Sequence, residues 1–129
     1  MHMAAIGVTR FASMFSVEET VARLVNRLET KDIKVFARID QQAEARSVGL
    51  DLRPTELVIF GDPKGGTPLM QKFPELALDL PLKALVYQDD GGKVWVLLNS
   101  PEHLAERYGL PQPPFRPILT LVESVASGS

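Results

Sequence analysis

The most regular pattern in the chain is an apolar stripe that begins after Ser16. Apolar residues recur there at spacings of four, three, one and three, at Val17, Val21, Leu24, Val25 and Leu28. These spacings place the side chains on one face of an α-helix. Ser16 is followed three residues later by Glu19, which is the capping-box pattern of a helix N-terminus. The sequence therefore predicts a helix over residues 16–29 with one face on the core.

Four other segments have the patterns of β-strands. Residues 33–39 alternate with a period of two, and the residues expected to face the core are Ile33, Val35, Ala37 and Ile39. Residues 55–60 are almost continuously apolar, which predicts a strand that is covered on both faces. The runs 82–87 and 93–98 flank an Asp-Asp-Gly-Gly turn and predict a hairpin.

Short helices are predicted where a cap or a proline can start them and a glycine can end them. The predicted short helices are 41–47, ending near Gly49; 69–73, starting at Thr67-Pro68; and 102–108, starting at Ser100-Pro101 and ending at Gly109. Residues 118–125 again have apolar residues at helical spacing. They predict a terminal helix after a connector that contains four prolines.

Strands and helices are interspersed, and the chain has no internal repeat. This pattern favours an α+β fold, a compact single domain with a mainly antiparallel β-sheet and helices packed on it. The domain is expected over residues 9–110, with a short first strand at 9–15. Residues 111–129 are expected to form a Pro-rich connector and a terminal helix.

Composition narrows the possible functions. Of the 129 residues, 45% are hydrophobic and 23% are charged, as in an ordinary soluble domain. The net charge of −2 gives no general attraction to nucleic acid or to an anionic membrane, so neither partner is expected. The absence of Cys excludes disulfides, thiolate catalysis and cysteine-held metal centres. No apolar run approaches the ~20 residues of a membrane span, and no secretory signal is found, so we expect a cytoplasmic location.

The glycine-rich segment 61–67 is the first candidate site. It follows a predicted strand and precedes a predicted helix, where free amides attract anions, and Lys64 adds a positive charge. The segment matches neither a Walker A loop nor a dinucleotide fingerprint. The residues that would bind a small anionic ligand are Lys64, Gly65, Gly66 and Thr67. The alternative is a strand-to-helix turn that needs glycine only for its backbone angles.

A second candidate is the charge pair Asp79 and Lys83, which lies within apolar sequence. If either group is buried, it needs a partner, and a desolvated pair could bind a ligand. The alternatives are that both side chains reach the surface, or that Asp79 only caps the turn at Pro81.

Histidine chemistry has little support. The histidines are His2 and His103, and His103 is expected on the surface of a helix near Glu102 and Glu106. A Ser-His-Asp triad or a zinc site would need further partners, so no metal and no cofactor are expected.

Two long motifs are similar to a known family. Residues 52–71 and 79–86 resemble the signature of the family called domain of unknown function 302, and the likeness extends over residues 11–110. The resemblance implies a compact α+β domain with an antiparallel sheet, seen as a dimer, and no established activity. The chain departs from the family pattern at three positions. Gln41 and Tyr108 stand where members often have His, and Asp62 stands where the loop usually has Asn.

Three functions remain open. The first is a dimeric small-molecule-binding or regulatory module without catalysis. The second is an enzyme with acid–base groups drawn from Lys83 or Lys64 together with Asp40, Asp62 or Asp79. The third is a purely structural interaction domain, in which the segment 110–117 and the terminal helix hold a partner. A homodimer is expected because the chain has more apolar sequence than one small sheet can cover, including Trp95 and Leu97.

Overall fold

The computed structural model describes residues 5–129. Its strands are β1 (Val8–Ser13), β2 (Lys34–Asp40), β3 (Thr55–Gly61), β4 (Leu82–Gln88) and β5 (Val94–Asn99). They form one sheet in the order β1-β5-β4-β3-β2, and every neighbouring pair is antiparallel. The antiparallel sheet confirms the architecture predicted from the sequence.

The helices are α1 (Val17–Thr30), α2 (Gln41–Ser47), α3 (Pro63–Lys72), α4 (Pro101–Tyr108) and α5 (Arg116–Ser127), with a 3₁₀ helix at Pro74–Leu78. α1 packs across β2, β3 and β4, while α5 packs on α1 and β1. The molecule is thus an α+β fold in which two helices cover one face of the sheet. None of the helices within residues 5–129 is both long and apolar enough to cross a membrane.

The core lies between these two helices and the sheet. Its buried side chains come from α1, from the sheet and from α5. They include Val21, Leu24, Leu28, Val58, Phe60, Val86, Val96, Val122 and Val125. Burying a side chain of this size contributes about 1.5–3 kcal/mol relative to leaving it exposed. The apolar stripe predicted for α1 is therefore the stripe that faces the sheet.

The helix ends also follow the sequence signals. Ser16 Oγ accepts a 3.1 Å hydrogen bond from the Glu19 amide, so the predicted cap of α1 is confirmed. Ser100 Oγ caps α4 in the same way, and Gly109 ends that helix with φ +67°. Gly49 follows α2 with φ +77°, as a C-terminal glycine should.

A β-bulge at Phe36 changes the faces of β2. Val35 pairs with Phe60 on the core side, but Ala37 pairs with Ile59 on the opposite side. The prediction that all four apolar residues of 33–39 share one face is therefore wrong beyond Val35. A bulge inserts one residue into the ladder, and one residue is enough to reverse every later side chain.

The start of α3 is earlier than predicted. The helix begins at Pro63 rather than Leu69, its N-cap is Asp62, and Pro68 lies inside it. Asp62-Pro63 is the same cap-plus-proline pattern as Thr67-Pro68, and the two glycines between them masked the helix because glycine has low helix propensity. The predicted glycine loop is thus the last residue of β3, the N-cap Asp62 and the first five residues of α3.

The second face of the sheet carries a row of aliphatic side chains. Strand register aligns Ile39 with Leu57, Leu57 with Leu85, and Leu85 with Leu97, and all four are only half-buried. We call this row the open face. The prediction that β3 is covered on both of its faces is therefore wrong for the single chain, since the helices that build the core lie on the other side of the sheet.

The β4–β5 hairpin is confirmed, and Asp89 organises its turn. Its carboxylate accepts hydrogen bonds from the Trp95 indole (3.0 Å) and from the Lys93 and Gly91 amides (2.9 and 3.0 Å). The bond from Trp95, followed by those from the amides, lowers the pKa of Asp89 below its usual value.

Candidate ligand-binding site

A cavity of about 320 Å³ lies where the end of β3 meets the start of α3. Apolar side chains from five parts of the fold form most of its wall: Phe36, Phe60, Met70, Leu80, Phe115 and Ile118. Within the described residues, the polar side chains that line it are Asp62 and Thr67. The cavity therefore offers an apolar surface with two polar groups at one side.

The bulge in β2 gives Phe36 its place in this wall. Phe36 lies at the register shift between Val35 and Ala37, and its side chain lines the cavity although the residue is 46% exposed. Phe36 and Pro81 pack beside Gly61, where a Cβ would lie 3.6 Å from Phe36 Cε2 and 3.6 Å from Pro81 Cβ, which are ordinary van der Waals distances. The Lys34 ammonium lies 5.0 Å from the centre of the Phe36 ring.

The opposite wall contains Phe115, which has a left-handed backbone conformation with φ +62°. It precedes α5 as the N-cap residue but makes no side-chain capping hydrogen bond. A non-glycine residue in this region costs about 1–2 kcal/mol. Such strain persists only where the surrounding structure imposes it, and it is often found at ligand sites.

The predicted anion-binding residues lie at the start of α3, where their amides already have acceptors. The Gly65 and Gly66 amides donate to the Asp62 carbonyl at 3.0 and 2.8 Å, and the Lys64 amide donates to Asp62 Oδ1 at 3.0 Å. Gly65, Gly66 and Thr67 line the cavity, while the Lys64 side chain is exposed. The carboxylate of Asp62 therefore occupies the position that a bound anion would take at this helix N-terminus.

The predicted pair Asp79 and Lys83 is not brought together. Asp79, whose side chain is 13% exposed, forms an ion pair with Arg107 at 3.0 Å and accepts a 2.5 Å hydrogen bond from the Tyr108 hydroxyl. This hydrogen bond is the main reason that the pKa of Tyr108 is raised above its usual value, with burial and the charge of Asp79 acting in the same direction. Lys83 is exposed and pairs with Ile59 on the side of the open face.

The groups proposed for acid–base chemistry lie apart in the fold. Asp40 caps α2 by accepting a 2.9 Å hydrogen bond from the Ala43 amide, and Asp62 caps α3. Among residues 5–129, no ion pair joins Lys64 or Lys83 to a carboxylate.

The same part of the chain contains no cluster of three or more His, Cys, Asp or Glu residues that could hold a metal ion. His103 is half-buried on α4, close to Gly7, and His2 lies outside the described residues.

Sequence reasoning found one side of the cavity and missed its aromatic wall. The outward side of the predicted strand is polar at Lys34, Arg38 and Asp40 but aromatic at Phe36. This exception to the alternation is the feature of the sequence that could have indicated the bulge. Phe115 gave no comparable signal, because a phenylalanine does not by itself indicate the left-handed backbone conformation that it has in the structure.

Fold and cavity together define the class: an α+β domain with helices on one face of an antiparallel sheet and a small-molecule-sized cavity at one end. The family model for Domain of unknown function DUF302 matches residues 9–119, and the chain belongs to this family. A crystal structure of an uncharacterized conserved DUF302 protein from Bacillus stearothermophilus has the same fold. It aligns with a TM-score of 0.73 and 20% identity over 95% of this chain and 89% of that one.

Curated relatives with higher identity are longer proteins. The chain is 44% identical over 104 residues to proteins named fluoride-specific ion channel FluC 1 from Brucella suis biovar 1 and from Brucella abortus biovar 1. The match covers 81% of this chain but only 41% and 38% of those relatives. The chain thus corresponds to about two fifths of their length.

Proposed function

We propose that the chain is a dimeric small-molecule-binding or regulatory module that performs no catalysis. The observation that carries this proposal is the cavity beside α3. Its volume of about 320 Å³ lies at the lower end of the ~300–1,000 Å³ range of small-molecule sites. Like most such sites, it has a mainly apolar wall and few polar groups.

The placement of the charged residues supports a binding role over an enzymatic one. Asp40 and Asp62 cap helices, and Asp79 is held by Arg107 and Tyr108. Each carboxylate therefore already has a structural partner. A general acid or base needs to lie within hydrogen-bond reach of the reacting group, and Asp62 is the one acidic or basic side chain among the described residues that line the cavity.

The open face supports the proposed homodimer. Ile39, Leu57, Leu85 and Leu97 form a continuous apolar row across four strands and remain half-exposed in the single chain. Contiguous apolar patches of this kind mark interaction sites in soluble proteins. A second copy of the sheet would cover the row around a two-fold axis, as in most homodimers.

The longer relatives support the regulatory part of the proposal. They are named as fluoride-specific ion channels, and the chain matches about two fifths of them. Because residues 5–129 contain no helix that could span a membrane, we infer that the pore of those relatives lies in the part that the chain does not match. The matched part would then be a ligand-sensing domain beside the pore.

Fluoride efflux from liposomes containing the Brucella suis protein, measured with and without its matched part, tests this inference. Abolished efflux would contradict the inferred location of the pore, and an unchanged rate would contradict the regulatory role of the matched part.

An NMR titration tests the binding proposal directly. The ¹⁵N-labelled full chain is titrated with neutral and charged small molecules, and we expect a binder to shift the amide signals of Gly61, Gly66 and Thr67. The indole signal of Trp95, which is not among the cavity residues, serves as an internal control. The absence of any shift at these three amides at millimolar concentrations would contradict the proposal.

Light scattering tests the proposed homodimer, because a measured mass equal to the chain mass of 14.2 kDa would show a monomer.

A further inference from the structure

We infer that the cavity beside α3 takes an uncharged, largely apolar ring compound rather than an anion. This inference rests on the proposed ligand-binding function and specifies the ligand class. It follows from the charges around the cavity and from the way the backbone presents two aromatic side chains to it.

The charge at the cavity disfavours an anion. Asp62 is the charged side chain among the described lining residues, and it is an acid. The amides at the start of α3 that could have bound an anion donate instead to Asp62. An anionic ligand would also lose its hydration against the apolar wall without gaining an ion pair, because the charged lining side chain, Asp62, has the same sign.

The aromatic wall favours a ring. Phe36 is placed there by a β-bulge, and Phe115 by a left-handed backbone conformation. Bulges that redirect a side chain and strained non-glycine residues are both concentrated at ligand sites. Here two such irregularities, distant in the sequence, bring phenylalanine rings to the same cavity. Aromatic side chains bind flat ring systems through stacked or edge-to-face contacts.

An adjoining groove supplies the competing alternative. It shares Ile33, Pro117 and Ile118 with the cavity and also contains Arg27 and Lys31. Arg27 already donates to Ser124 Oγ at 2.8 Å and to the Ser129 carbonyl at 3.0 Å. A ligand with an apolar body and an acidic group could use Lys31, so the experiment must separate this class from the uncharged one.

Two fluorescent dyes that differ by one sulfonate make this separation. N-phenyl-1-naphthylamine is uncharged, and 1-anilinonaphthalene-8-sulfonate adds the negative charge. We expect the uncharged dye to bind at least ten-fold more tightly to the full chain and to shift the Gly61, Gly66 and Thr67 amides. The Trp95 indole signal should not move, since a shift there would place the dye on the open face.

Variants assign the binding to the cavity. Phe36→Ala should weaken binding of the uncharged dye at least five-fold, and its effect on folding should be small because the residue is 46% exposed. Leu78→Ala is the matched control, since Leu78 is 71% exposed and is not among the cavity residues, and it should leave the affinity unchanged.

The outcomes distinguish the ligand class from the function itself. If the sulfonated dye binds equally or more tightly and its binding depends on Phe36, the cavity is a binding site but its ligand is not restricted to uncharged compounds. If Lys31→Ala then abolishes that binding, Lys31 in the groove is the residue that pairs with the sulfonate. If neither dye moves the cavity amides, the inference is wrong. If other small molecules also fail to move them, the proposed function is wrong as well.

Discussion

The Tyr108 hydroxyl donates a 2.5 Å hydrogen bond to Oδ2 of Asp79, and this bond joins the last turn of α4 to the residue that follows the 3₁₀ helix. Arg107 donates to the same oxygen at 3.0 Å. The carboxylate therefore holds two neighbouring residues of α4 against the segment that leads to the cavity residues Leu80 and Pro81.

We predict that Tyr108 titrates above its usual pKa of 10.0, because ionising the hydroxyl would break its bond to Asp79 and place two negative charges together. The folded protein holds this proton more tightly than the unfolded chain does. Stability from the bond is therefore complete below pH 10.0 and is lost as the pH rises through the raised pKa. NMR of the ¹³Cζ signals of the tyrosines measures the titration directly.

Asp79→Asn should move the Tyr108 titration back toward 10.0, and the exposed Asp51→Asn should leave it unchanged. A Tyr108 titration at 10.0 in the unaltered chain would contradict the prediction.

We predict that the cap of α1 contributes measurably to stability. Ser16→Ala removes the oxygen that accepts from the Glu19 amide and should lower the free energy of unfolding by about 1 kcal/mol. Urea unfolding monitored by circular dichroism measures the change. Ser127→Ala, in the last turn of α5, removes a hydroxyl that caps no amide and should change the free energy by less than about 0.5 kcal/mol. Equal midpoints for Ser16→Ala and the unaltered chain would show that the cap is not stabilising.

We predict that Gly7→Ala is more damaging than Gly49→Ala, although the two glycines have similar φ angles of +74° and +77°. A Cβ on Gly7 would lie 2.3 Å from His103 Cγ, whereas a Cβ on Gly49 would meet nothing within 4 Å. Gly49→Ala should therefore cost only the backbone strain of about 1–2 kcal/mol. Gly7→Ala adds a steric overlap near the base of the His103 side chain.

A double-mutant cycle separates the two costs for Gly7. Combining Gly7→Ala with His103→Ala removes the two closest overlaps and should recover most of that cost, leaving the backbone strain and a 2.9 Å approach to Cβ of residue 103. If Gly7→Ala destabilises no more than Gly49→Ala in urea unfolding, the packing of His103 on Gly7 is not rigid enough to matter.

The parts of the fold that the sequence predicted are those determined by local chemistry. Ser16, Ser100 and Gly109 form their caps with residues three or four positions away, so a short window of sequence contains the whole interaction. The bulge at Phe36 and the early start of α3 depend on partners elsewhere in the fold. The sequence shows only that glycine has a low helix propensity. In the structure Gly66 is buried in α3 with Leu80 nearby, and this packing offsets that low propensity.

The candidate site also has a part that the sequence predicted and a part that depends on the folded structure. Gly65, Gly66 and Thr67 were found because glycines before a proline are conspicuous, and they line the cavity. The anion expected there depended on free amides, and whether an amide is free is decided by the position of the helix start. Asp62 caps the helix at that position, where the family usually has asparagine, and the packing of the buried Gly66 near Leu80 accompanies the early start.

We predict that the open face mediates the proposed homodimer. Leu85→Glu places a charge at the centre of the aliphatic row and should convert the dimer to a monomer of 14.2 kDa in light scattering. Glu29→Lys, an exposed change on α1, which covers the other face of the sheet, should leave the mass unchanged. A monomeric mass for the unaltered chain at micromolar concentration would contradict the dimer. A Leu85→Glu variant that remains dimeric would place the interface elsewhere.

We predict that substitutions at the two neighbouring glycines of α3 affect different properties, stability at Gly65 and ligand binding at Gly66. Gly65→Ala adds a methyl group at an exposed helical position, where its nearest contact is Asp62 Oδ2 at 3.8 Å, and should raise the free energy of unfolding by up to about 1 kcal/mol. Gly66→Val points its methyl groups toward Leu80 Cδ1 and Met70 Cε, at 3.7 and 3.9 Å from the Cβ position, and so fills part of the cavity. Since Gly66 has no positive φ, valine there needs no change of backbone, and we expect the melting temperature to stay within a few degrees of the unaltered chain. Binding of N-phenyl-1-naphthylamine should nevertheless fall at least ten-fold in Gly66→Val, whereas Leu78→Ala, a change outside the cavity, should retain it. Thermal unfolding and dye titration of both variants measure these effects, and full dye affinity in a folded Gly66→Val protein would show that the ligand does not occupy the cavity.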